Sequence, residues 1–185
     1  MTATLIRETP TTTAWTIDPA HTEVGFSVKH LMISTVRGRF GDVRGTIRLD
    51  GDDLTRASVE AEIATASIDT RQEQRDAHLR SADFFEVEKY PTINFRSTRI
   101  ERVADDRYRV VGQLTIRGVT REVSLDVTNE GRGRDPWGGE RLGFSATATI
   151  DRRDFGLTWN QALETGGVLV SNEIRVSIDV EAVKS

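Results

Sequence analysis

Apolar and polar residues alternate strictly in eight separate segments, and this period of two limits the fold more than any other feature of the chain. In a β-strand successive side chains point to opposite faces, so each such segment has one dry face and one wet face. The dry positions are Val24, Phe26, Val28 and His30; Val43, Gly45, Ile47 and Leu49; Val59, Ala61 and Ile63; Ile93 and Phe95; Leu114 and Ile116; Val123, Leu125 and Val127; Phe144, Ala146, Ala148 and Ile150; and Ile174, Val176, Ile178 and Val180. The breaks between them are short. Asp50-Gly51-Asp52-Asp53 and Ala104-Asp105-Asp106 read as turns, and Gly131–Gly139 as a longer loop. Half-wet strands joined by hairpin-sized breaks imply an antiparallel sheet. Eight of them imply closure, because a closed sheet has no sticky edge. The expected fold is all-β: an extended eight-stranded antiparallel barrel with one or two short helices.

The palette agrees with strands. Val, Ile and Thr supply 17, 12 and 22 of the 185 residues, against 11 Leu and two Met. The one segment with a helical signature follows Thr70, which precedes Glu73 by the capping-box spacing. It predicts a helix from about Arg71 to Leu79, then a short helical turn over Ser81–Phe85 that ends before Pro91. Asp154 to about Ala162 is a second helical candidate. The first 14 residues lack an apolar stretch behind a basic one, so they read as a flexible leader to a domain spanning 15–185, with the cytoplasm as the expected location. No 18 apolar residues run together, so no membrane span is expected.

Several functions lose support at once. The net charge of −4 gives no basic face for nucleic acid. With no Cys, thiolate catalysis and Cys-ligated zinc are excluded. There is no Gly-x-Ser-x-Gly elbow, phosphate loop or dinucleotide fingerprint. Three histidines remain, His21, His30 and His78, but their strand and helix positions do not suggest convergence on a metal, and no cofactor is expected. The basic side is lopsided, with 22 Arg to three Lys.

A barrel of eight strands is either filled by side chains or holds one small ligand. Ala57, Ala61, Ala146, Ala148, Gly45 and Ser97 fall on the inward parity and are small. They either face Phe26, Phe95 and Phe144 in a closed core or leave an elongated apolar cavity. An alkyl or prenyl chain would gain about 0.8 kcal/mol per buried CH₂ in such a cavity. Arg75, His78 and Leu79 share one helix face. There they either grip a polar head group at the mouth or simply tie a helix over the barrel end.

Taken in order, the residues resemble the YceI-like family of lipocalin-like barrels. The match begins with Trp15-x-Ile17-Asp18-Pro19-x-His21-Thr22-x-Val24-x-Phe26-x-Val28-x-His30. It continues through Arg75-Asp76-x-His78-Leu79-x-Ser81-x-Asp83-Phe84-Phe85, Pro91-x-Ile93-x-Phe95-x-Ser97 and Gly112-x-Leu114-Thr115-Ile116-x-Gly118-Val119. Asp135-Pro136-Trp137-Gly138, Ile150-x-Arg152-x-Asp154-Phe155-Gly156-Leu157 and Gly166-Gly167-Val168-Leu169-Val170 complete it. The resemblance implies a long apolar pocket, a bound polyisoprenoid or similar lipid chain, no established enzyme activity, and a homodimer. The expectation is a non-enzymatic binding, transport or storage protein, with a histidine-dependent enzyme and a stress-related interaction scaffold as alternatives. The expected ligand contacts are Val24, Phe26, Val28, Phe95, Leu114, Ile116 and Phe144 along the tunnel, with His30, Arg75 and His78 near an end.

Overall fold

The computed structural model describes residues 11–164 and 166–185. Its strands are β1 (Thr12–Ile17), β2 (Glu23–His30), β3 (Ser34–Phe40), β4 (Val43–Asp50), β5 (Asp53–Ala64), β6 (Ile68–Asp69), β7 (Thr92–Ala104), β8 (Arg107–Ile116), β9 (Val119–Arg134), β10 (Glu140–Asp151) and β11 (Glu173–Lys184). A single α-helix among the described residues, α1 (Glu73–Arg80), lies between β6 and β7. All ladders are antiparallel. The circuit β1-β4-β5-β7-β8-β9-β10-β11 closes by pairing of β11 back to β1, giving the eight-stranded barrel. The first half of β11 pairs with β2 instead, and β3 and β6 follow, so these three strands extend the wall beyond β1, β4 and β5.

Each of the eight alternating segments lies within a strand. The closed circuit nevertheless contains β1, which the alternation misses, and leaves β2 outside. Thr12–Ala14, read above as leader, pair with β4; the leader's first ten residues lie outside the described residues. The anticipated loop at Gly131–Gly139 shrinks to 135–139, because Gly131–Arg134 pair with β10. The turns at 50–53 and 104–106 lie where expected.

The helical segment differs in its detail. Gln72, not Thr70, caps α1, its side chain accepting from Arg75 N–H. Arg71 takes a left-handed backbone and separates Thr70 from the helix. The Thr70 hydroxyl donates to buried Asp76 and accepts from Arg75 Nε at 2.7 Å. Residues 81–85 form a turn rather than helix. The second helical candidate is only a 3₁₀ turn, Arg152–Phe155, ended by Gly156 in the left-handed region.

Two clusters pack the barrel. One gathers Phe40, Ile68, Phe84, Ile93, Ile116, Phe155 and Leu157 beneath α1 and the turn that follows it. The other gathers Ile47, Leu49, Leu142 and Ala182 around Trp15, whose exposure is 0%. Between and beside them the barrel is not filled.

An apolar cavity as the candidate functional site

The unfilled space is a cavity of about 300 Å³, at the lower end of the range for small-molecule sites. Its wall draws on nearly every strand. Val24, Phe26 and Val28 come from β2, Phe95 from β7, Leu114 and Ile116 from β8, and Phe144 from β10. Ala57, Ala61, Ala146 and Ala148 also line it, which decides between the two readings of the small inward residues. Gly45 and Ser97 do not line it, and their smallness has other causes. A Cβ on Gly45 would collide with the Glu60 main-chain oxygen and lie 2.8 Å from Ile17 Cδ1. Ser97 Oγ accepts a hydrogen bond from Val59 N–H at 2.8 Å.

The end under α1 is closed by arginines that grip main chain. Arg152, 4% exposed, donates to the carbonyl oxygens of Leu157 and Trp159 at 2.7 Å each, Ser171 at 3.0 Å and Val170 at 3.4 Å. It therefore ties Leu157 and Trp159 to Val170 and Ser171 beside the cavity, and burial lowers its pKa from the usual arginine value. Arg80 donates to the carbonyls of Ala66 and Ile68, and Arg117 to those of Ala82 and Gly156. A planar fork with five donors suits this use better than a lysine ammonium, which gives one reason for the Arg excess.

His30, Arg75 and His78 are not among the wall residues. Arg75 is exposed and turns back onto the Thr70 hydroxyl and carbonyl. His78 Nε2 lies 2.8 Å from Asp83 Oδ2, and its ring stands edge-on to Phe84 and Trp159. His30 bridges Val170 through main chain. The helix residue that reaches the cavity is Leu79. The three histidines occupy separate settings. The third, His21, pairs with Asp18 at the far end of the molecule.

That far end holds the strongest electrostatics. Arg141 bonds Asp18 at 2.9 Å, Asp135 at 3.0 Å and Glu181 at 2.6 Å, joining the start of β10 to the β1–β2 junction, the 135–139 turn and β11. His21 and Arg141 together hold the Asp18 carboxyl down at about 2. Asp18, His21 and Glu181 lie close enough to chelate a cation, but Arg141 already binds both carboxylates.

Among the described residues, polar side chains in the cavity wall reduce to three. Thr22 exchanges hydrogen bonds with Glu181 main chain, Arg152 is spent on carbonyls, and Tyr108 bonds no described residue. Such a wall fits an apolar chain and offers no acid–base pair.

Residues 15–182 match the YceI-like domain. The chain belongs to the YceI-like family. A UPF0312 protein of Staphylococcus epidermidis is 40% identical over 172 residues, covering 91% of this chain and 96% of the relative. Among solved structures, the Campylobacter jejuni YceI protein superposes with a TM-score of 0.73 at 33% identity, over 85% of this chain and 90% of that one. A polyisoprenoid-binding domain from Saccharophagus degradans, implicated in plant cell wall breakdown, shares the fold with a TM-score of 0.68 at 16% identity, over 94% of this chain and 99% of that one.

Among the wall residues the sequence did not point to are Thr22, Phe40, Leu54, Phe85, Ile100, Tyr108, Arg152 and Phe155. Tyr108 had a signal, since Tyr108, Val110, Gly112, Leu114 and Ile116 alternate with polar neighbours except at Val111. Ile100 had none. An extra residue at Thr98 shifts the register between Ser97 and Arg99, so inward parity moves from Phe95 to Ile100.

Proposed function

We propose that this protein binds the long apolar chain of a polyisoprenoid or similar lipid inside the barrel, as a carrier or store and not as a catalyst. The observation that carries the reading is the wall: among the described residues it is apolar apart from Thr22, Tyr108 and Arg152, and two of those three are engaged with the protein's own main chain. Chain burial in such a space is driven by area removed from water, with few polar contacts needed. The polyisoprenoid-binding domain among the structural neighbours supports the same ligand class.

Protein purified from its source, analysed by native mass spectrometry and by solvent extraction, is expected to release a lipid in near-stoichiometric amount. Consistently ligand-free protein that also fails to take up a fluorescent apolar chain would overturn the proposal.

A further inference from the structure

The barrel seam between β5 and β7 is only half zipped. The two strands pair from Ala64↔Thr92 to Glu60↔Arg96, and the Ser97 hydroxyl then takes the Val59 N–H. Past that point Asp53–Val59 pair with β4 alone, and Ser97–Ala104 with β8 alone. The bulge at Thr98 bends β7 away at this place. A second seam also parts, since β9 and β10 do not pair beyond Asp126↔Thr147, but there the 3₁₀ turn closes over the opening and Phe155 is 1% exposed. The β5–β7 opening has no such plug among the described residues. Its edges carry the half-buried cavity residues Leu54 and Ala57 on β5 and Ile100 on β7, and half-buried Tyr108 lines the cavity from the next strand, β8, opposite Arg102 of β7.

The chemistry at this opening differs from that of the closed end. Tyr108 brings a phenol with no partner among the described residues. Every arginine on the two facing segments is matched by a carboxylate: Arg56 by Asp50, Arg99 by Glu101 and Arg102 by Asp105. Arg107 and Arg109 flank Tyr108 but leave β8 from the opposite, outer face. On the cavity face of the opening an anionic head group would therefore find no uncommitted cation among the described residues, whereas a neutral oxygen would find a hydrogen-bond partner.

We propose that the gap between β5 and β7 is the entrance of the cavity, and that the Tyr108 hydroxyl holds the neutral oxygen end of the lipid there while the chain runs toward the Phe-rich end under α1. This rests on the lipid reading above and adds the orientation of the ligand and its head-group class: an alcohol, ester or quinone carbonyl in preference to a phosphate.

The test uses the full chain, stripped of lipid, with three probes: geranylgeraniol, its monophosphate, and phytane, a saturated hydrocarbon with the same number of carbons. The alcohol should bind about three- to tenfold tighter than phytane, the range of one neutral hydrogen bond, and tighter than the monophosphate. Tyr108→Phe should abolish the advantage of the alcohol over phytane. A tighter monophosphate, or an alcohol advantage that survives Tyr108→Phe, would overturn the head-group assignment. Binding of none of the three would instead overturn the lipid reading and this one with it.

The entrance is tested separately. The chain has no native Cys, so Ser58→Cys with Thr98→Cys can be stapled selectively by a bismaleimide across the gap. Uptake and release of phytane should slow at least tenfold in the stapled protein relative to the unstapled double variant. Unchanged rates would overturn the entrance.

Discussion

The N–H of Val59 donates to Ser97 Oγ at 2.8 Å, and this bond is the last rung between β5 and β7 before they part. Ser97→Ala leaves the Val59 N–H without that partner. The expected cost is about 1 kcal/mol of stability, with faster amide exchange at Val59 than at Ile63, which stays inside the ladder. Equal protection at both positions in the variant would show that the rung does not hold the seam.

Arg152→Met should be severe. It strips four main-chain oxygens of a charged donor in a buried setting, and at least about 3 kcal/mol should be lost in urea unfolding. The chain around Leu157–Trp159 and Val170–Ser171 should become a protease target in the native protein. Arg152→Lys should recover only part of the loss, because a point charge cannot reach the same spread of oxygens.

Ala148→Phe is expected to separate binding from folding. The new ring enters the cavity, so affinity for an apolar chain should fall at least tenfold while unfolding free energy stays within about 1.5 kcal/mol of the parent. Competition against a fluorescent chain and a urea titration give the two readouts. A large loss of stability would mean the space is filled in solution.

Acid should loosen the Arg141 end. The Asp18 pKa lies near 2 in the folded protein, against about 3.9 for an unperturbed aspartate. A depressed folded pKa means the unfolded chain takes up the proton first on acidification. The stabilisation is therefore present above about pH 4 and is lost as pH falls toward 2. Asp18→Asn lacks the titrating group, so its stability deficit relative to the parent should shrink over that window. Urea midpoints measured from pH 2 to pH 5 will show it, and a constant deficit would refute the linkage.

Gly45→Ala should cost about 1–3 kcal/mol, since the added methyl meets Glu60 main chain and Ile17. Gly143→Ala, whose Cβ would lie 3.5 Å from Glu130 Cβ, should stay within about 0.5 kcal/mol in the same melts.

Alternation carried the fold because a half-buried strand must write its two faces into its sequence. It lost β1, where Trp15 and Ile17 are too short a run, and β3, where Arg37, Gly38 and Arg39 dilute the pattern. Gly38 stands there because a Cβ would collide with the Phe26 ring, a constraint no local pattern expresses. The cavity wall was largely readable for the same reason as the strands. Its polar accents were not, because each depends on a partner distant in sequence or on the backbone. Arg75 turns from the cavity to Thr70, and His78 to Asp83. The second helix failed because Arg152 draws the Leu157 and Trp159 carbonyls onto its side chain, where a helix would turn them to amides four residues on.

The arginine clasps at the α1 end hold carbonyl oxygens, and every amino acid supplies one. The residues at Leu157, Trp159, Val170 and Ser171, or at Ala66 and Ala82, can thus be exchanged without releasing the grip, provided the arginine stays. The closed end of the barrel can drift in sequence, and so reshape the bottom of the cavity for a different chain, while its architecture is kept.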